Sequence, residues 1–182
     1  AIDDNGQIVG ISGICDQAVG RHTAKHAVLW ENGGVIDLGS RGAQWWNTPT
    51  AINQRGDGVG FAGDPALVEG DIVHAFMWTR EDGIRHLKPL KGRSPQHVDS
   101  EAYGINEARQ VVGVSCDADF VDCRAVVWNQ GNTPTDLNDL KGGFSARLES
   151  AKDINNLGQI TGRAIDSTGV RTSYLAVPVS KP

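Results

Sequence analysis

Apolar and polar positions alternate along this chain in runs of five or six residues, separated by glycine and asparagine. In His26-Ala27-Val28-Leu29-Trp30 the alternation puts Ala27 and Leu29 on one face and His26, Val28 and Trp30 on the other. That period of two belongs to a half-buried strand. The run returns as His74-Ala75-Phe76-Met77-Trp78 and Arg124-Ala125-Val126-Val127-Trp128, and in degenerate form as Ser173-Tyr174-Leu175-Ala176-Val177. A second strand is predicted over Gln7 to Ser12, Asp57 to Ala62, Gln110 to Ser115 and Gln159 to Ala164. Each copy carries a glycine at the same place (Gly10, Gly60, Gly113, Gly162), which suggests close backbone approach. A preceding strand ends in Ile-Asn: Thr48 to Asn53, Glu101 to Asn106 and Ser150 to Asn155.

The Asn-x-x-Gly after that strand is turn chemistry: asparagine caps the turn, and glycine takes the positive φ that closes a hairpin. Arg109 replaces this glycine in the third copy, so its turn is either strained or differently built. A further turn (Asn32-Gly33-Gly34, Glu81-Asp82-Gly83, Gln130-Gly131-Asn132) leads to a short fourth strand around Ile36-Asp37-Leu38, His86-Leu87 and Asp136-Leu137. Only residues 144–157 offer a competing helix, since they lack Gly and Pro, but their end aligns with strands elsewhere.

The anchors recur about every 50 residues, the range of β-propeller blades. The expected fold is therefore all-β: a propeller-like repeat array of about four blades, each of four short antiparallel strands. The units run about 1–50, 51–103, 104–152 and 153–182 within one repeat domain, the last unit being incomplete. A closed four-bladed unit and a portion of a longer array both fit. In the second case exposed blade faces would drive self-association.

Composition narrows the function. The chain has 182 residues, with 17 Lys and Arg against 22 Asp and Glu, a net charge of −5. An acidic chain lacks the basic footprint of a nucleic-acid or anionic-membrane binder. No apolar run approaches the ~18 residues of a membrane-spanning helix.

The series Ile-Asn-x-x-Gly-Gln-x-x-Gly, His-Ala-x-x-Trp and Asp-Leu resembles the HAF repeat, which is named for the triplet found here as His74-Ala75-Phe76. The resemblance spans essentially the whole chain. It implies an extracellular or periplasmic bacterial module of propeller type and carries no reaction with it.

Several residues invite chemistry. Cys116 and Cys123 bracket the loop between two adjacent antiparallel strands and are expected to form a disulfide. Cys15, in the loop of the first copy that corresponds to the Cys116 loop, is left unpaired. Asp117, Asp119 and Asp122 form a candidate calcium loop, although a full set of oxygen ligands is not evident. Otherwise no cofactor is expected. His22 and His26 stand four apart, and His26 shares a repeat position with His74, a position that suits a structural histidine. Arg55-Gly56-Asp57 spells an adhesion tripeptide but coincides with the repeated turn. Trp45 and Trp46 have no counterparts in the other copies and are candidate ligand platforms. Glu31 with Asp37, and Glu81 with Asp82, are acid pairs of the kind a glycosidase or lyase would need. No nucleophile elbow or zinc-protease motif is present. These features favour a secreted, non-enzymatic module that binds carbohydrate or protein through its loops. A polysaccharide-acting hydrolase or lyase, and an assembly element completing a larger propeller, are the alternatives.

Overall fold

The computed structural model describes residues 1–13, 23–39, 46–63, 72–93 and 95–179. Among these residues the regular structure is mainly strand, with a 3-10 turn at Leu137–Asp139. The strands form four antiparallel sheets, each a meander in chain order. The first sheet holds β1 (Ile8–Ser12), β2 (His26–Glu31) and β3 (Gly34–Asp37). The second holds β4 (Thr48–Ile52), β5 (Gly58–Gly63), β6 (Val73–Thr79) and β7 (Gly83–His86). The third holds β8 (His97–Ile105), β9 (Gln110–Asp117), β10 (Cys123–Asn129) and β11 (Pro134–Asp136). The fourth holds β12 (Arg147–Ile154), β13 (Ile160–Ile165) and β14 (Arg171–Ala176). An isolated Ile2–Ile8 bridge stands before β1 where the other sheets have a full strand. The helix considered for residues 144–157 does not form: β12 occupies that span, in the register of the other copies.

The repeated glycines have a structural cause. Gly60, Gly113 and Gly162 pair with Pro49, Ala102 and Ala151, immediately before a bulge in the partner strand. A Cβ at these glycines would overlap the carbonyl oxygens of Thr48, Glu101 and Ser150. The bulge leaves Thr50, Tyr103 and Lys152 as the extra residue of each first strand. Tyr103 and Lys152 meet across adjacent sheets, the ammonium 3.5 Å from the ring centroid.

The Ile-Asn motif joins the sheets as well as turning the chain. Asn53 Oδ1 accepts the N–H groups of Arg55 and Asp57, while its Nδ2 donates to the Asn106 carbonyl of the next sheet at 3.2 Å. Asn106 repeats the pattern on Ala108, Gln110 and the Asn155 carbonyl. Asp3 stands at this position in the first sheet, and its side chain has no N–H to give. There Asn5 Nδ2 reaches the Gln54 carbonyl instead, at 3.0 Å.

The alternation read from the sequence decides the packing. Ala27 and Leu29 pack with Phe76, Trp78 and Ile84 of the second sheet. Ala75 and Met77 pack with Val126 and Trp128 of the third. Ala125 and Val127 pack with Ile160, Ala164 and Tyr174 of the fourth. The fourth copy of this strand needs a correction of one residue. Gly162 pairs with Tyr174, as Gly113 pairs with Val126, so the anchor is residues 172–176 and not 173–177. Ala176 thus takes the place of the repeated tryptophan, and the Tyr174 ring lies over Gly162.

The two end faces of the array differ. Where the third sheet buries Val112, Val114 and Ala125, the fourth exposes Thr161, Arg163 and Ser173. Arg163 and Arg171 both pair with Glu149 there, at 2.7 and 3.1 Å. The first sheet instead exposes Ile8 and Val35 beside a half-buried Trp30.

Candidate functional site

The strand-end turns of the second and third sheets surround an open cleft of about 400 Å³. The turn at residues 53–56 supplies Arg55, and the matching turn at 106–109 supplies Glu107 and Arg109. The hairpin between β6 and β7 supplies Thr79, Asp82 and Arg85, and Gln130 closes the other side. Buried Met77 forms an apolar floor.

Three guanidinium groups line this cleft, and they differ in freedom. Arg109 is committed: its Nε and Nη2 bond Asp57 at 2.8 and 3.0 Å. Those bonds to a buried carboxylate hold its pKa above the ordinary arginine value. Arg109 also answers the question raised by the missing glycine. Its turn is built like the others, closed by its N–H donating to the Asn106 carbonyl, with φ at +59° where Gly56 has +78° and Gly158 +73°. That backbone costs an L-residue about 1–2 kcal/mol.

Arg55 and Arg85 are exposed. Among the described residues Arg55 forms no ion pair, and Arg85 makes only a 3.6 Å contact from Nη2 to Met77 Sδ. The two carboxylates of the cleft are lightly held. Glu107 Oε1 accepts the Gln54 N–H at 2.7 Å, and Asp82 Oδ2 lies 3.4 Å from the Thr79 hydroxyl. The cleft therefore offers unspent donors and unspent acceptors side by side.

A second polar cluster lies inside the third sheet, and sequence inspection did not find it. His97 Nδ1 is 3.1 Å from Ser115 Oγ, and His97 Nε2 is 3.3 Å from Asp122 Oδ2. The carboxylate can only accept, so the proton of this contact sits on Nε2. The order serine, histidine, aspartate is that of a hydrolase, but the surroundings are structural. Ser115 and His97 are buried. Ser115 Oγ accepts the Leu90 N–H and donates to the Asp99 carbonyl, so its hydroxyl is spent on holding the backbone. Burial opposes ionisation of Asp122, but hydrogen bonds from Arg124, His97 and Arg147 outweigh it and hold the carboxyl at about 2. Asp99 next to this cluster has no such help. It is fully buried, Oδ2 accepts the Val73 N–H at 2.8 Å, and Oδ1 has no partner. Burial pushes its pKa up to about 7. Its repeat equivalents are Trp46 and Leu148, so a lone acid at an otherwise apolar position was the available signal.

The residues singled out from sequence are dispersed. Cys116 and Cys123 are directly opposed on β9 and β10 and joined by a disulfide. Asp117 Oδ1 accepts the N–H groups of Val121 and Asp122 and shapes the loop. Asp122 turns to its arginines and Asp119 stays on the loop surface, so the three carboxylates do not converge. Among the described residues no cluster of metal-ligating side chains forms. His26 bonds Asp37 at 2.9 Å, a carboxylate partner and not a backbone one. Arg124, at the same repeat position, lies 4.0 Å from Asp136, which is equivalent to Asp37. His74 stands edge-on to His86. Glu31 is held by Gln7 and Arg80 rather than by Asp37. Asp57 of the Arg-Gly-Asp triplet is buried against Asn53 and Arg109. Trp46 is half-buried, its ring edge-on to Phe61 at 5.9 Å. Trp45, Cys15 and His22 lie outside the described residues.

Comparison with protein-family models, with curated proteins and with solved structures returned no match. Among the described residues no helix is long and apolar enough to cross a membrane.

Proposed function

We propose that this chain is a secreted, non-enzymatic binding module, a propeller-like array of HAF-repeat type that presents its turns to a carbohydrate or protein partner. Three features support the propeller-like reading. Each four-stranded sheet is a meander, and each packs face to face on the next. The first strands β4, β8 and β12 also lie beside one another, as inner strands do. The disulfide suits an oxidising compartment.

The observation that carries the binding reading is the open cleft between the second and third sheets, with Arg55 and Arg85 unspent at its rim. A cleft assembled from turns on a rigid scaffold is the usual place for recognition. The test is an array of neutral and acidic glycans probed with the labelled chain, with reducing-end release followed in parallel. Saturable binding without product is expected. Steady release of reducing ends would replace this reading with the hydrolase or lyase alternative.

The first sheet favours a second reading, assembly. Trp30 and Val35 occupy positions that Trp78 and Ile84 bury in the second sheet, yet Val35 and the neighbouring Ile8 are exposed. A second copy meeting this face would bury it. Light scattering should then give twice the mass of one chain, and Val35→Lys should return the mass to that of one chain.

A further inference from the structure

Three properties of the cleft restrict what it can bind. First, two of its cations are unspent. Arg55 comes from the turn after β4 and Arg85 from β7, and among the described residues neither has a carboxylate partner, while Arg109 between the sheets is neutralised by Asp57. A planar guanidinium fork with nothing to hold is suited to a carboxylate, phosphate or sulfate. Second, Asp82 and Glu107 share the same walls. Their charge opposes a polyphosphate, a polysulfate or a strongly acidic peptide, but they accept hydroxyl groups. Third, Gln130 adds a neutral amide, and Met77 adds an apolar floor against which C–H groups can lie.

A ligand that satisfies all three carries one carboxylate among several hydroxyls on a weakly apolar ring. We propose that this cleft binds a uronic-acid-bearing oligosaccharide, its carboxylate held by Arg55 and Arg85 and its hydroxyls by Asp82, Glu107 and Gln130. The assignment rests on the binding-module reading above and gives it a ligand class.

The backbone supports this placement. The cleft wall includes Arg109 at +59°, the one copy of this turn without glycine. Its guanidinium both ties the third-sheet turn to Asp57 on the second sheet and fills space beside Glu107. The walls are thereby fixed relative to each other before a ligand arrives, which lowers the ordering cost of binding.

The experiment is calorimetric titration of the intact chain with trigalacturonate, with its fully methyl-esterified form and with sodium sulfate. Arg55→Gln, Arg85→Gln and the outlying Arg80→Gln are titrated in parallel. Both cleft arginines are exposed, so their variants keep the fold, and far-UV circular dichroism checks this. Trigalacturonate should bind saturably. The ester should bind at least tenfold more weakly, as should each cleft variant toward the acid form. Arg80→Gln, whose partner is Glu31 outside the cleft, should match the parent chain.

Equal affinity for acid and ester would overturn the proposal while leaving a neutral-glycan binding module intact. Sulfate competing at equal concentration would overturn it in favour of a bare anion site. Unchanged affinity in both cleft variants would place the ligand elsewhere. An absence of trigalacturonate binding alongside hits on the glycan array would refute this ligand class alone. Absence of binding in both assays would refute the binding-module reading itself.

Discussion

Asp99 should make this protein less stable as pH rises from 4 to 7, the opposite of what a paired carboxylate does. The side chain is fully buried, one oxygen has a single N–H donor, and the other has no partner. Burial therefore favours the acid form, with the nearby Glu101 charge adding to it, and the carboxyl keeps its proton to about pH 7 against 3.8 when free. Between those values the native chain binds a proton that the unfolded chain has lost. Stability is then highest below the unfolded value and falls as pH rises to the folded one. At about 1.4 kcal/mol per pH unit, the window amounts to about 4 kcal/mol. Asp99→Asn cannot ionise and removes the whole effect, at the expense of a different hydrogen-bond pattern that is constant with pH. Asp122 works in the other direction and at lower pH. Its stabilisation of about 2 kcal/mol is lost as pH falls from 3.8 to about 2, and it is common to both chains. Urea unfolding followed by tryptophan fluorescence, at unit steps from pH 4 to pH 8, isolates the difference. The variant should gain on the parent chain by about 4 kcal/mol across that range. A difference that stays flat to within about 1 kcal/mol would show that Asp99 ionises normally, and would refute the reasoning from burial.

Other substitutions test the scaffold. Gly113→Ala places a Cβ on the Glu101 carbonyl, so β8 must leave β9; a loss of about 3 kcal/mol or more is expected in the same urea assay. Arg109→Gly relieves a strained turn worth about 1 kcal/mol but strips buried Asp57 of its cation, worth about 3 kcal/mol. The net fall in stability is about 2 kcal/mol, and the variant should gain none if the ion pair matters. Replacing Cys116 and Cys123 by serine opens only a short loop, so melting should shift by the equivalent of about 2 kcal/mol while the circular dichroism spectrum is retained.

Much of the scaffold was legible because the chain states it several times. The Ile-Asn-x-x-Gly turns, the close-approach glycines and the faces of the Ala-x-x-Trp strand all follow from residues whose backbone demands are local. The fourth copy misled by one residue because its letters are degenerate. Ala176 has replaced the tryptophan, and only the pairing of Gly162 with Tyr174 fixes the register. Residues 144–157 carried helix propensity, but the strand pairing of β12 with β13 overrode it, as tertiary context commonly does. The polar cleft was illegible for another reason. Arg55 and Arg109 belong to separate turns and Arg85 to β7, and successive members are 30 and 24 positions apart in sequence. None recurs at its repeat position, so periodicity offered no reason to connect them.

That contrast bears on where function resides in such an array. Positions that recur serve the sheet: the glycine admits the bulge, the asparagine bonds the next sheet, and the tryptophan or its substitute fills the interface. A residue that breaks the recurrence must either cost stability or supply something the scaffold does not need. Asp99 breaks it at a buried position and destabilises at neutral pH. Arg109 breaks it at a glycine position and recovers the strain through Asp57, so stability alone accounts for it. Arg55 and Arg85 break it on the surface, touch no carboxylate among the described residues, and do nothing for the fold that Asn5 or Ile36 does not do at the same positions of the first sheet. On the proposed reading they are the pair that meets the ligand, and their removal should leave unfolding unchanged while weakening recognition. Loss of stability in Arg55→Gln or Arg85→Gln would return both residues to the scaffold.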